Sequence, residues 1–327
     1  MCSLFGWVDC EGIMPNRMLR KLTQALANAA EERGTDAAGI SYVRNNEVVI
    51  YKRPKPAHKL HFDPPEGTIA VMGHTRMTTQ GNEKYNYNNH PFAGFAGDTS
   101  FAFAHNGTLW NDKELRKDKL IPETHIETDS YAACQLIEQQ DKLDFDSLKY
   151  MAETVEGNFT FSLLDDNNNL YIVKGSNPMC LLHFKDIGLY VYASTESIMK
   201  NALRRIGLNK IASERIKTDE GDIIRIDRNG DITRSQFEPR IFRSKYGAWY
   251  GFDDSYYSST LHEEILLSYC GCYGVDSEDV ELLLEYGYTC DEIEEMLMDT
   301  NLLHEALRDI KYMCGESVYE SCYGGAW

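Results

Sequence analysis

Through the first 240 residues of this 327-residue chain, apolar and polar positions alternate in short runs. The period-two runs predict strands over Leu4–Val8, Ala38–Val43, Glu47–Lys52, Thr68–Gly73, Phe101–Ala104 and Phe159–Leu164. Further strands are expected over Leu170–Lys174, Leu189–Ala193 and Asp222–Ile226. Longer stretches with apolar residues three and four apart predict helices over Asn16–Glu32, Thr128–Gln139, Phe145–Val155 and Thr195–Arg205. Asn45-Asn46, the run Asp165 to Asn169, and Asn229-Gly230 are the turn chemistry between successive strands. Asp165 to Asn169 lacks the sixth-position Gly and twelfth-position Glu of a calcium loop, so it reads as a hairpin turn. Strands that follow one another without a helix between them argue for antiparallel sheets with the helices packed outside.

Beyond residue 240 the pattern changes. A glycine-punctuated aromatic stretch, Tyr246 to Tyr257, gives way to helical periodicity over Leu261–Ser268, Asp279–Glu285, Asp291–Met298 and Leu302–Met313. Thr289 with Glu292 fits a capping box, and Ile293, Met296, Leu297, Leu303, Leu307 and Ile310 supply a small shared core. Charge divides at the same place. Of a net charge of −18, the last 87 residues hold 18 acidic and 4 basic side chains, whereas the first 240 hold 33 and 29. An acidic chain disfavours bare nucleic acid and anionic membrane as partners. No run of about 18 apolar residues suggests a membrane span, and no basic n-region marks a leader. Nine cysteines without regular spacing read as reduced thiols of a cytoplasmic protein, with no metal set and no cofactor motif.

The candidate chemistry is gathered in a few short segments. Removal of Met1 would leave Cys2 with a thiol and a free α-amine on one residue, so that the amine can serve as base for its own nucleophile. Gly73-His74-Thr75-Arg76-Met77-Thr78-Thr79-Gln80-Gly81 follows a hydrophobic strand, and Ala104-His105-Asn106-Gly107-Thr108 lies at a strand end. Glu127-Thr128-Asp129-Ser130 opens a helix; Arg33-Gly34-Thr35-Asp36 and Asn89-His90-Pro91-Phe92 complete the set. Taken singly, Asn106-Gly107 is equally a type I′ turn, Asp129 a helix cap and Arg76 a structural ion-pair arginine. Arg33, Asp36, His74 and His105 read as structural.

In this order the segments resemble the class II, N-terminal-cysteine glutamine amidotransferase family, over residues 2–235. The resemblance implies an α+β fold, the Ntn-hydrolase αββα sandwich of two antiparallel sheets between helical layers. To this is added a small acidic helical C-terminal region. The expected divisions are a glutaminase domain over 2–240, an aromatic linker over 241–260 and the helical region over 261–327. The implied roles are Cys2 as nucleophile forming a γ-glutamyl thioester, with Asn106 and Gly107 as oxyanion donors. Arg76 would grip the α-carboxylate of L-glutamine and Asp129 its α-ammonium. Thr79 and His90 complete the substrate-binding set. Ser3 stands where the family's usual glycine follows the cysteine, and Met77 where sugar-synthase members carry a gating tryptophan. Only 87 residues follow position 240, with no synthase motif, so ammonia is expected to pass to an acceptor on a separate partner protein. A regulatory protein of the same fold, or an Ntn hydrolase of another amide, are the alternatives.

Overall fold

The computed structural model describes residues 2–118 and 121–239, and in the C-terminal region 266–267, 270, 275–286, 288, 292–293, 296–297 and 300–313. The chain forms two compact units, residues 1–242 and 243–327.

In the first unit, strands β1 (Ser3–Asp9), β2 (Ala37–Arg44), β3 (Glu47–Arg53) and β4 (Ala70–Arg76) precede β5 (Phe92–Ala96) and β6 (Thr99–Leu109). Then come β7 (Gly157–Asp165), β8 (Leu170–Lys174), β9 (Cys180–Phe184), β10 (Leu189–Ala193), β11 (Glu214–Ile216), β12 (Asp222–Ile226) and β13 (Ile232–Gln236). They make two antiparallel sheets, ordered β11-β9-β10-β1-β4-β2-β3 and β13-β12-β8-β7-β6-β5. Helices α1 (Asn16–Ala29) and α5 (Glu196–Ile206) pack on the first sheet; α3 (Ser130–Glu138) and α4 (Phe145–Thr154) pack on the second, with the short α2 (Asp112–Lys117) beside α3. This is the αββα sandwich.

Side-chain alternation explains the layering. In β1, Phe5 and Trp7 point to the α1/α5 layer, while Leu4 and Val8 point between the sheets. In β6, Phe101 and Phe103 face α3 and α4, while Ala102 and Ala104 face the other sheet. Small residues on the facing surfaces (Ala70, Ala102, Ala104) let the sheets approach around Tyr190 and Tyr192, while the phenylalanine rings of β1 and β6 are buried under helices. Each fully buried Phe or Leu contributes roughly 1.5–3 kcal/mol. Helix α1 presents Leu19, Leu22 and Leu26 on one stripe, and its buried Thr23 hydroxyl accepts from the Trp7 indole at 2.9 Å.

The turns follow their residue types. Asn45 and Asn46 join β2 to β3 with positive φ at both, the hairpin geometry that asparagine tolerates. Asp165 Oδ1 accepts from the Asn167 and Asn169 N–H groups at 3.0 and 2.8 Å, closing the β7–β8 hairpin. Helix α4 starts at an Asp144–Ser147 capping box.

The structure differs from the sequence pattern in instructive places. Strand β6 continues through Asn106 and Gly107 to Leu109, so this dipeptide is mid-strand and not a turn. Strand β4 runs on to Arg76 because His74, Thr75 and Arg76 are all buried. Strands β5, β9 and β11 and helix α2 do not follow from the pattern, whereas β13 is the second strand of the hairpin that Asn229-Gly230 turns.

In the second unit, the helix Ser277–Glu285 begins at Asp276, whose carboxylate accepts from the Glu278 N–H at 3.3 Å, and the helix Thr300–Met313 follows. Leu266, Val280, Leu283, Ile293, Leu297, Leu303, Leu307 and Ile310 form its core. The aromatic stretch over 241–260 and the Thr289 cap lie outside the described residues.

Candidate active site

Four chain segments converge where β1 begins, β4 ends and α3 begins beside the second half of β6. Cys2 precedes β1 and is partly exposed. Its thiol donates to the Met77 carbonyl at 3.5 Å, and its own carbonyl accepts from Arg33 Nε at 3.1 Å. Burial pushes the thiol upward in pKa; the Met77 contact and the Arg76 charge pull it down, and Asp129 pushes it up. Cys2, Arg76 and Asp129 therefore lie within electrostatic reach of one another.

The turn after β4 is clamped from behind. Asp36 takes the Thr78 N–H on its carboxylate at 2.7 Å and donates its own N–H to the Arg76 carbonyl at 2.9 Å. That clamp aims the Met77 carbonyl at Cys2. The Met77 side chain projects outward, 52% exposed. Arg76 itself is buried, with Nη1 on Asn89 Oδ1 at 2.7 Å and Nη2 on the Gln80 carbonyl at 2.6 Å. Both acceptors are neutral, and among the described residues Arg76 has no carboxylate at ion-pair distance. A guanidinium has five donors, so a planar face of it is left for a further acceptor.

Asp129 is buried at the start of α3. It makes no side-chain cap to that helix; instead Oδ2 accepts from the Leu109 N–H at 2.6 Å and Oδ1 from the Ser130 hydroxyl at 3.3 Å. The Ser130 hydroxyl also lies 2.8 Å from His105 Nδ1, linking that imidazole to Asp129. Asp129 likewise has no cationic partner among the described residues.

Asn106 is fully buried. Its Nδ2 reaches Ser194 Oγ at 3.4 Å, its carbonyl accepts from Asn177 Nδ2 at 2.8 Å, and its Oδ1 has no partner. Ser194 also accepts from the Leu4 N–H at 2.8 Å, so one hydroxyl ties β1, the strand after Cys2, to Asn106. Gly107 holds φ +144, and a Cβ there would sit 2.0 Å from the Asn158 carbonyl. Only glycine satisfies both conditions.

His74 donates Nε2–H to the His105 carbonyl at 2.9 Å, joining the two sheets behind the site, and burial lowers its pKa to about 3. His90, expected to bind substrate, lies on the segment just before β5. The residue is 4% exposed, with its ring packed against His74 and Phe92 at centroid distances of 4.2 and 4.5 Å. Thr79 is exposed on the loop after β4. Ser194 escaped the sequence reading, since no local motif marks a residue whose partners, Leu4 and Asn106, are 88 or more positions away. Among the described residues no three His, Cys, Asp or Glu side chains gather as a metal set, and no helix is long and apolar enough to cross a membrane.

A thiol between a buried cation and a buried anion, beside a strand that carries an Asn-Gly pair, agrees with one family model. Residues 1–197 match the class-II glutamine amidotransferases. This chain belongs to that family. Its curated relatives include glutamine–fructose-6-phosphate aminotransferases (isomerizing). The Staphylococcus aureus protein is 29% identical over 194 residues, 55% of this chain and 30% of that one. The Bacillus cereus protein is 31% identical over 187 residues, again 55% and 30%. The chain thus spans about a third of the length of these relatives. Among solved structures, the glutamine phosphoribosylpyrophosphate amidotransferase of B. subtilis, complexed with ADP and GMP, shares the fold. Its TM-score is 0.56 at 19% identity, over 73% of this chain and 50% of that one. The amidotransferase fold of residues 1–242 is therefore supported by sequence family and by structure alike.

Proposed function

We infer that this amidotransferase hydrolyses the side-chain amide of L-glutamine at Cys2. The observation that carries the reading is the pair of buried charges beside the thiol. Arg76 and Asp129 are neither bonded to each other nor neutralised by any described residue. Buried charges without counter-charges are strongly destabilising, and an α-amino acid supplies both at once, its carboxylate to Arg76 and its ammonium to Asp129.

The chemistry follows from that placement. With Met1 removed, the Cys2 α-amine takes the thiol proton, and the sulfur attacks the δ-carbon of the bound side chain. Asn106 Nδ2 and the Gly107 N–H stabilise the oxyanion of the tetrahedral intermediate. The α-ammonium returns its proton to nitrogen as the C–N bond breaks, releasing ammonia and leaving a γ-glutamyl thioester. Water then displaces the sulfur to give glutamate. Thr79, on the exposed loop, covers the bound substrate. Ammonia free in water becomes ammonium and is lost to amide-forming chemistry, so the acceptor is held on a separate protein.

The test is glutamate release from L-glutamine by the purified chain, with the N-terminal mass determined beside it. Glutamate formation by protein starting at Cys2, abolished in Cys2→Ala, is the expected result. Absence of glutamate from Met-free protein, with or without added acceptor proteins, sinks this reading and favours a binding protein of the same fold.

A further inference from the structure

Strand β3 carries a cation that the glutamine reading leaves unused. Lys52 is partly buried, and its ammonium donates to the Asn89 carbonyl while lying 5.0 Å from the centroid of the Phe92 ring. Its own carbonyl accepts from Asn86 Nδ2 at 3.0 Å. The side chain reaches Asn89 because its cross-strand partner is Gly39, where a Cβ would collide with the Lys52 Cβ at 2.7 Å and with the His90 carbonyl at 2.5 Å. Asn89 then turns its amide the other way. Its Oδ1 accepts from Arg76 Nη1 at 2.7 Å, and its Nδ2 donates to the Glu83 carbonyl at 2.8 Å. One asparagine is thus held at its backbone by a lysine and holds an arginine with its side chain.

Neither cation has a described carboxylate at ion-pair distance; Glu83, Asp36 and Asp129 act on Arg76 only from further off. The titratable groups facing Lys52 are Arg76, the His74 and His90 imidazoles and the Cys134 thiol, and burial keeps the last three neutral. Glu138, one turn along α3 from Cys134, spends its carboxylate on the Phe95 N–H. Two adjacent cations in a partly dry site repel each other and cost stability; what they produce is a local positive potential that an anion relieves.

We propose that Lys52 is a positioning residue for substrate binding: it fixes Asn89, Asn89 orients Arg76, and the two unneutralised cations together draw the substrate's α-carboxylate. This rests on the glutamine reading above and adds to it a residue remote from the reacting atoms. Lys52 loses its proton near pH 8, brought down by burial and by Arg76, so carboxylate affinity falls as pH rises through that value.

The experiment is steady-state glutaminase kinetics on the full chain, with Lys52→Met, Lys52→Arg and Asn89→Ala beside wild type. Lys52→Met is expected to raise KM for glutamine about tenfold while kcat stays within about twofold, with a melting temperature at pH 7 equal to or above wild type. Lys52→Arg, which keeps the charge, is expected to restore most of the KM and to carry the plateau of kcat/KM beyond pH 8. The substrate's own ammonium titrates identically in both proteins, so the difference belongs to residue 52. Lys52→Met combined with Asn89→Ala is expected to be no worse than the poorer single variant, because both act through Arg76. An unchanged KM in Lys52→Met overturns the proposal and leaves glutamine hydrolysis standing. A parallel loss of kcat and melting temperature marks a packing role and also overturns it. Should Lys52→Met fail to fold, the pH profile of Lys52→Arg decides, a profile identical to wild type being the negative result. No hydrolysis of glutamine by wild type overturns both.

Discussion

Gly107 shows how much a single position constrains the site. Its φ of +144 is open to few side chains, and the space a methyl would need is occupied by the Asn158 carbonyl 2.0 Å away. Gly107→Ala must shift β6 away from β7 where Asn106 lies, at a strain cost of about 1–3 kcal/mol. The expected outcome is a glutaminase rate lower by roughly a hundredfold or more, with far-ultraviolet circular dichroism unchanged. Near-wild-type turnover would show that the strand relaxes without moving the Asn106 amide and the Gly107 N–H. The residue types of this site were readable in the chain, as was their order. What separates a type I′ turn from a mid-strand Asn-Gly was not, because the deciding partner is Phe159 across the ladder, some fifty residues downstream.

Among the elements, α5 carries its own start and stop signals. Thr195 Oγ1 accepts from the Ile198 N–H at 3.2 Å and donates to Glu32 at 2.9 Å, and Gly207 ends the helix at φ +78. Thr195→Ala is expected to cost about 1 kcal/mol, read as a fall of about 2–4 °C in melting temperature. No change would assign the cap to solvent. Elements with this clarity were legible: α4 with its Asp144–Ser147 box, the β2–β3 hairpin over Asn45-Asn46, and the β-branched and aromatic runs of β7 and β8. Strand β5, Phe-Ala-Gly-Phe-Ala, was not, since alanine and glycine have no strand preference and it is a strand only because β6 pairs with it. The sheet order was beyond local pattern altogether, because β1 finds its neighbours in β4 and β10.

At the scale of the whole molecule, the buried histidines govern the response to acid. Burial lowers the pKa of His74 to about 3 and that of His90 well below 6.5, and lowers that of His105. Each binds a proton more readily unfolded than folded, so stability is full above about pH 6.5 and falls as pH drops below it. Asp9, its carboxyl raised by burial to about 6, opposes the trend together with Glu138 and Asp165, also raised by burial, while His183, lowered by burial, adds to it. The melting temperature is expected to decline steadily from pH 6.5 to 4; a flat profile over that window would contradict the neutral, buried assignment. The position of β1 has another consequence, for synthesis. Phe5 pairs with Gly73 on one side and with Ala193 on the other, placing the strand in the interior of a seven-stranded sheet. As the chain emerges from the ribosome, β1 is made before both of its partners, and its second edge stays open until residue 193 has followed. Pairings so distant in sequence form slowly, on the order of milliseconds to seconds. The residue next to Cys2 is therefore set in place only when most of the first unit already exists, which ties the surroundings of that thiol to the completion of its own fold.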